Sequence, residues 1–214
     1  YRTLLGQGVV ARFDAETYSD AIAFARIGEG SLGGKARGLA FMNSMLIKYR
    51  QYDKHEGVRI MIPRSVVIAT EYFDEFIRMN GLQYVVSQEF SDEEILSEFV
   101  SSYVPPRLQQ ELKAYIRTVR TPLAVRSSSK LEDSHYQPFA GIYSTYMIPF
   151  TKNEDQMLRL LLRAVKSVYA SVYFAASRAY IQTSQNLISE EKMAVIIQEV
   201  CGTEQDGLYF PTCS

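Results

Sequence analysis

Apolar and polar residues alternate along the chain in a way that predicts interleaved strands and helices. Residues 9–13 have the pattern of a short strand, and residues 15–27 predict a helical or partly helical segment leading into a glycine cluster at residues 28–34. From Lys35 the apolar residues recur at the spacing of one helix face, so a helix is predicted to follow the glycine loop directly. The residues of this face are Leu39, Met42, Leu46 and Tyr49.

The middle of the chain contains clear start and stop signals. Ser91 and Glu94 form a capping box, flanked by Phe90 and Ile95 as a hydrophobic staple, and predict a helix that runs to about Ser102. A compact apolar strand over 63–69, a helix over 71–79 and an amphipathic helix over 108–120 are also predicted.

Towards the C-terminus, Thr151 and Glu154 form a second candidate capping box that opens a long helix. Residues 193–200 have the composition of a buried strand, and residues 207–210 start another. The apolar stripe predicted for the long helix consists of Met157, Leu161, Ala164, Val168, Val172 and Ala175.

The composition is that of a globular chain without a general affinity for polyanions. Its 214 residues, 47% of them hydrophobic, suffice for one substantial core or two smaller lobes. The 23 basic and 24 acidic residues give a formal net charge of -1, so neither nucleic acid nor a membrane surface is predicted as a partner. Any polyanion that binds must therefore be held locally.

The cysteine content favours a reducing compartment. Cys201 and Cys213 are the two cysteines, and neither stands in a metal-binding arrangement, so a cytoplasmic protein with reduced thiols is predicted. No apolar run reaches membrane-spanning length, and the first residues lack a secretory signal. Because the chain starts with Tyr1 and stops within a predicted strand, we expect it to be a piece of a larger protein.

The glycine loop is the first candidate for chemistry. Gly33, Gly34 and Lys35 precede a predicted helix, where paired glycines let backbone amides approach a phosphate and the lysine supplies a mobile positive charge. Taken alone, such a segment is more often a flexible entry turn. Its spacing is neither that of the Walker A loop nor that of a dinucleotide fingerprint.

The second candidate is the run of residues 123–133, followed by Phe-Ala-Gly at residues 139–141. An apolar, strand-prone segment ends there on Arg126 and three serines, which places a fixed cation and several hydrogen-bond donors where a polyanion can be held. The alternative is a purely structural ion pair between Arg126 and Glu132 or Asp133.

The third candidate is the apolar strand over 195–200, which turns polar at its end. Such a strand can offer its main-chain amide and carbonyl groups to the edge of an adenine while aliphatic side chains pack on the base. The sequence by itself does not separate this interpretation from an ordinary core strand.

Together, the three segments resemble the N-terminal nucleotide-binding domain of the phosphoenolpyruvate synthase (pyruvate, water dikinase) and pyruvate phosphate dikinase family. The likeness is carried by Gly-Gly-Lys, by Val-Arg-Ser-Ser in register with Glu-Asp and Phe-Ala-Gly, and by the strand end Gln-Glu-Val followed by Gly-Leu-Tyr-Phe. It implies an α+β fold of the ATP-grasp type. The first lobe would be largely complete over residues 1–200, with 1–30 as a lead-in, and the second lobe truncated at residues 201–214.

The resemblance also implies roles for individual residues. Lys35 and Arg126 take the roles of cations that contact nucleotide phosphates, and we therefore expect them to converge on one cleft. Glu132 and Asp133 are expected to shape their loop. The remaining predicted binding residues are the loop glycines Gly33 and Gly34, the supporting serines Ser127 and Ser128, and the adenine-side residues Gln198, Glu199 and Val200.

The chemistry implied by the resemblance is transfer of phosphate from ATP. In the family, a histidine on another domain attacks ATP, AMP is released, and the phosphate passes to pyruvate, with Mg2+ neutralising the developing charge. The implied partners are ATP or AMP and the phospho-histidine and pyruvate-binding domains of the same parent chain. Mg2+ ligands are expected beyond Ser214. No catalytic or metal-binding residue is predicted within the chain, because neither His55 nor His135 is in a phospho-carrier context.

The function implied is thus the ATP-binding fragment of a phosphoenolpyruvate synthase-like phosphotransferase, inactive on its own. Two alternatives stay open. One is a nucleotide-sensing module without catalysis, and the other is a relative of the dikinases that uses another phosphoryl acceptor.

Overall fold

The computed structural model describes residues 10–18, 22–49, 56, 60–86, 90–129, 143–183 and 191–211. The strands of this part of the chain are β1 (Ala11–Arg12), β2 (Phe24–Ile27), β3 (Ser65–Ile68), β4 (Leu123–Ser129), β5 (Thr145–Ile148), β6 (Met193–Glu199), β7 (Gly202–Gln205) and β8 (Leu208–Pro211). The helices are α1 (Gly33–Lys48), α2 (Thr70–Met79), α3 (Asp92–Ser101), α4 (Pro106–Ile116), α5 (Glu154–Ser171) and α6 (Ala175–Thr183), with a short 3-10 helix at Leu82–Val86.

Six of the strands form one mixed sheet in the order β1-β2-β3-β6-β4-β5. β1, β2 and β3 are parallel, whereas β6 runs antiparallel to β3 and β4, and β5 runs antiparallel to β4. β7 and β8 form a separate antiparallel hairpin. The described residues therefore have the mixed α+β architecture that the sequence predicts.

The two faces of the six-stranded sheet are packed differently. On the face that we call the core face, alternate strand residues such as Val125 pack with residues of α2 to α6 in a large apolar cluster. On the opposite face, the α1 face, residues such as Ile196 form a smaller cluster with Ala36 of α1. Because strand side chains alternate between faces, Arg126 and Gln198 lie on the α1 face.

The sequence signals for the central elements are confirmed. β3, β4 and β6 fall within the predicted strands, and α2, α3 and α4 within or beside the predicted helices. The capping box of α3 is present as predicted. The Ser91 hydroxyl accepts from the Glu94 amide at 3.3 Å, and the Glu94 carboxylate accepts from the Ser91 amide at 2.8 Å.

The capping box predicted at Thr151 and Glu154 is wrong. α5 is capped by Asn153, whose side chain accepts a hydrogen bond from the Gln156 amide at 2.9 Å. Asn153 directly precedes the first helical residue, whereas Thr151 lies further out and accepts from the Asn153 amide instead. Ala175, predicted for the stripe of this helix, is exposed at the start of α6, because the chain turns between the two helices.

The lead-in and α1 also depart from the predicted pattern. The helical segment predicted over 15–27 is wrong at its end, since Phe24–Ile27 is a buried strand that pairs in parallel with β1 and β3. Strand partners distant in sequence outweigh the local pattern there. On α1, Met42 and Tyr49 are 48% and 42% exposed, so only part of the predicted apolar face packs on the sheet.

Among the helices that the structure describes, none has the length and apolar composition required to cross a membrane.

Candidate functional site

The glycine loop lies against the end of β4. Gly33 opens α1 with a φ of +72°, and a Cβ at this position would lie 1.8 Å from the Ser128 carbonyl oxygen. The left-handed backbone and the close approach each exclude a side chain. Glycine is therefore required here because it lets the start of α1 touch β4.

Ser128 caps α1 from the neighbouring strand. Its hydroxyl accepts a hydrogen bond from the Ala36 amide at 3.0 Å and donates one to the Leu32 carbonyl at 2.7 Å. Leu32 is the N-cap residue and makes no side-chain cap of its own, while the Ser31 hydroxyl accepts from the Gly33 amide at 3.2 Å. Serine hydroxyls thus replace the acceptors that the first turn of a helix lacks.

Lys35 reaches β4 from the first turn of α1. Its ammonium group donates to the Ser127 hydroxyl at 3.2 Å, across 92 positions of the sequence. Ser127 is the residue after Arg126, so Lys35 contacts β4 one position away from the second predicted phosphate-contacting cation. Both side chains belong to partly buried residues.

Arg126 contacts the side-chain amide of a buried glutamine. Its Nη1 donates to Oε1 of Gln198 at 3.1 Å, and Nε2 of Gln198 donates to the Ser65 hydroxyl at 3.1 Å. The Ser65 hydroxyl in turn donates to the Pro63 carbonyl at 2.9 Å. Within the described residues no carboxylate forms an ion pair with Arg126, so its positive charge is not neutralised by that part of the chain. Glu132 and Asp133, the predicted alternative partners, lie outside the described residues.

Glu199 points to the core face, away from Gln198. Its carboxylate pairs with Arg64 at 3.1 Å, and both side chains are largely buried, at 18% and 12% exposure. Arg64 also donates to the Thr118 hydroxyl at 3.1 Å and stacks over the ring of Tyr18.

Burial, with a smaller contribution from Tyr18, holds the pKa of the adjoining Tyr115 well above its ordinary value, so that hydroxyl stays protonated.

Val200 follows the end of β6 and is bonded on both of its main-chain groups. Its amide donates to the Pro122 carbonyl at 2.9 Å, and its carbonyl accepts from the Tyr209 hydroxyl at 2.7 Å. The second bond ties the β7–β8 hairpin to the end of the main sheet. Both groups are therefore occupied by the chain itself.

The structure brings together most of the predicted site residues. Six of them surround the junction of α1 and β4, namely Gly33, Gly34, Lys35, Arg126, Ser127 and Ser128. Gln198 joins them through Arg126, whereas Glu199 faces the other side of the sheet. The Phe-Ala-Gly segment and His135 lie outside the described residues.

Two residues of this region were not singled out from the sequence. Ser65 contacts Gln198 because the two are paired directly across the β3·β6 ladder, and Ser31 supports the glycine loop. In the sequence, each of the two serines is simply a polar residue beside a predicted apolar strand or a glycine. Such residues are too common to indicate a functional role. The pairing register that gives Ser65 its contact is not visible in one sequence.

Two surface grooves lie elsewhere. One of about 510 Å³ is lined by Glu29, Gly30, Thr70, Glu71, Asp74, Glu75, Arg78 and Lys192. The other, of about 330 Å³, lies between α4 and the start of α5. Neither includes Lys35 or Arg126.

In the part of the chain that the structure describes, no group of three or more His, Cys, Asp or Glu side chains is arranged to hold a metal ion.

Comparison with known proteins identifies the family of the chain. Residues 29–213 match the family model described as pyruvate phosphate dikinase, AMP/ATP-binding domain. This match covers most of the chain, and the chain belongs to that family.

Individual relatives carry names from the same group of enzymes. An uncharacterized phosphotransferase of Bacillus subtilis, YvkC, is 31% identical over 157 residues, which is 70% of this chain and 17% of the relative. A phosphoenolpyruvate synthase of Aeropyrum pernix is 28% identical over 84% of this chain and 22% of the relative. A probable phosphoenolpyruvate synthase of Staphylothermus marinus is 24% identical over 71% of this chain and 20% of the relative. The chain thus spans about a fifth of the length of the curated relatives that it matches.

Proposed function

We propose that this chain binds ATP as the nucleotide-binding part of a phosphoenolpyruvate synthase-like phosphotransferase. The proposal rests chiefly on the contact of Lys35 with Ser127, the residue that directly follows Arg126 in β4. A mobile ammonium and a planar guanidinium that are both anchored on β4 suit the oxygens of a polyphosphate. The membership of an AMP/ATP-binding family supports an adenine nucleotide as the ligand.

The roles of the remaining predicted residues are part of the same proposal. Gly33 and Gly34 form the loop that approaches the phosphates at the positive end of α1. Ser127 supports the phosphate-contacting cations through Lys35. We propose that Gln198 and Val200 lie beside the base, with Val200 contacting it through its side chain because its main-chain groups are occupied. Glu199, whose side chain pairs with Arg64 on the core face, would support this end of β6 from behind.

We propose an ATP-grasp arrangement for the whole site. Residues 1–200 form the first lobe, and residues 201–214 start the second lobe. Support comes from the β7–β8 hairpin, which is a separate sheet that begins where the main sheet ends. A nucleotide held between the two lobes would lie at the end of β6.

The proposed reaction of the parent protein converts ATP, pyruvate and water to AMP, phosphoenolpyruvate and phosphate through a phospho-histidine on another domain. Lys35 and Arg126 would hold the phosphates and stabilise negative charge as the chain of phosphates is cleaved. Mg2+ supplies further charge neutralisation in such reactions. As the resemblance to the family implies, we propose that its ligands lie beyond Ser214, and we assign it no step here.

A second candidate keeps the same nucleotide site with a different acceptor. It is supported by the Bacillus subtilis relative, whose name gives a phosphotransferase and no acceptor. The acceptor would be chosen by other domains of the parent protein. An assay that supplies pyruvate to the full-length protein and measures AMP formation separates the two candidates, since AMP would form only slowly if pyruvate is not the acceptor.

Calorimetric titration of ATP tests the nucleotide site directly. We expect Lys35→Ala and Arg126→Ala each to weaken ATP binding by about tenfold or more, because each removes a charge-assisted contact. Lys48→Ala is the matched control, since Lys48 lies at the other end of α1 and contacts the ring of Tyr49. An unchanged affinity for both site variants, or an equal loss for the control, would contradict the proposal.

A further inference from the structure

We infer that Gln198 and Ser65 are positioning residues that hold the Arg126 guanidinium in the orientation required by the phosphate chain. This inference rests on the proposed nucleotide site. It gives Gln198 a role that differs from a contact with adenine. The observation that carries it is the continuous chain of hydrogen bonds from the Pro63 carbonyl through Ser65 and Gln198 to Arg126.

The chemistry of this series of hydrogen bonds fixes which way the Gln198 amide points. The Ser65 hydroxyl has a single hydrogen, which it donates to the Pro63 carbonyl, so it offers Gln198 only a lone pair. Gln198 must therefore present its NH2 group to Ser65 and its oxygen to Arg126. A guanidinium can only donate, so the same orientation satisfies both ends of the amide.

The strand register makes this arrangement possible. Ser65 and Gln198 are direct partners in the β3·β6 ladder, and Gln198 lies directly opposite Ala124 in the β4·β6 ladder. Arg126 is the diagonal neighbour of Gln198 on the same face, a distance that a long side chain can span. The small side chain of Ala124 leaves room for Arg126 to reach back across the sheet.

Burial makes this series of hydrogen bonds rigid. Gln198 is 9% exposed and Ser65 is fully buried, so water does not compete for their hydrogen bonds. Arg126 uses one of its donors on Gln198 and is partly exposed, which leaves further N–H groups for a ligand. A guanidinium that is already oriented loses less rotamer entropy when phosphate binds.

A double-mutant cycle with ATP, measured by calorimetry without divalent metal in the full-length protein, tests the inference. We expect Gln198→Leu to weaken ATP binding by about tenfold and Ser65→Ala by about threefold, since the first removes the contact and the second only its orientation. In the Arg126→Ala background, Gln198→Leu is expected to have no further effect, because its influence acts through Arg126. Additive losses would show that Gln198 contacts the nucleotide independently and would overturn the inference.

Gln198→Glu serves as a second variant in case the leucine variant does not fold. The carboxylate can keep the contact with Arg126 and pairs with its charge, while the Ser65 hydroxyl has to turn from the Pro63 carbonyl to donate to it. We therefore expect a folded protein whose ATP affinity falls by about tenfold or more. An affinity equal to that of the wild type would overturn the inference. Ser171→Ala is the control, because Ser171 is a buried serine that donates to the Val168 carbonyl within α5. It is expected to change the melting temperature and not the affinity.

The experiment distinguishes two kinds of failure. A wild-type protein that binds neither ATP nor AMP would overturn the proposed nucleotide site and this inference with it. A wild-type protein that binds ATP, is weakened by Arg126→Ala and is unaffected by Gln198→Leu would overturn the positioning role alone.

Discussion

The carbonyl oxygen of Ser128 occupies the space that a side chain on Gly33 would need, only 1.8 Å from the ideal Cβ position. Two segments distant in sequence are therefore held together next to the hydrogen bond between Lys35 and Ser127. The contact fixes the start of α1 against β4, so the glycine loop is more than a flexible entry turn to α1.

Gly33→Ala should separate α1 from β4. The substitution combines a left-handed φ of +72° with a backbone clash, so we expect a loss of at least about 3 kcal/mol in the free energy of unfolding. Gly38→Ala is the matched control on the same helix, since a Cβ there meets nothing within 4 Å. It should raise stability by up to about 1 kcal/mol. Urea unfolding measures the free energy of unfolding of both variants. Equal effects would contradict the conclusion that position 33 requires glycine.

Ser128→Ala should loosen the start of α1 without unfolding the sheet. The variant leaves the Ala36 amide and the Leu32 carbonyl without their partner, which costs about 1 to 2 kcal/mol. Ser44→Ala, which removes an exposed hydroxyl from the same helix, should change stability by less than about 0.5 kcal/mol. Hydrogen exchange of the first turn of α1 would report the difference. Unaltered protection in Ser128→Ala would show that the cap is dispensable.

The sequence was sufficient for the parts of the fold that have local signals. The capping box at Ser91 and the apolar runs of β3, β4 and β6 are short-range patterns, and each was predicted with nearly the right ends. Lys35 and Arg126 were found because each stands in a motif that resembles a known family, and the family match supports that resemblance. Their specific roles stay predictions.

The remaining features depend on contacts between distant residues. Ser128 acts as the cap of a helix that begins far earlier in the chain, and Gln198 meets Ser65 only through the register of β3 and β6. β2 was missed for the same reason, since its strand partners and not its own pattern make Phe24–Ile27 extended. Properties that arise from pairing register cannot be read from one sequence without an independent constraint on that register.

Glu199→Gln should lower stability more than it lowers ATP affinity. The variant leaves Arg64 as a largely buried charge without its partner, and breaking a buried pair costs about 3 kcal/mol. Glu204→Gln, at an exposed position of β7, should change stability by less than about 0.5 kcal/mol. A thermal melt and an ATP titration on the same samples make the comparison. If affinity falls strongly while stability is retained, Glu199 acts on the nucleotide and not on the core.

Glu94 should make the stability of α3 depend on pH in the acid range. Hydrogen bonds from the Ser91 backbone and hydroxyl lower the pKa of Glu94 below its ordinary value of 4.5. Because the folded-state pKa is the lower one, the contribution of Glu94 is fully present above the unfolded-state value and is lost as the pH falls through the folded-state value. Glu94→Gln keeps a capping-box side chain but does not titrate. The melting temperature of the wild type should therefore exceed that of Glu94→Gln near neutral pH, and the difference should shrink as the pH falls below 4.5. Melts of both proteins across this range check the prediction, and a difference that stays constant with pH would show that the Glu94 charge contributes nothing to the cap.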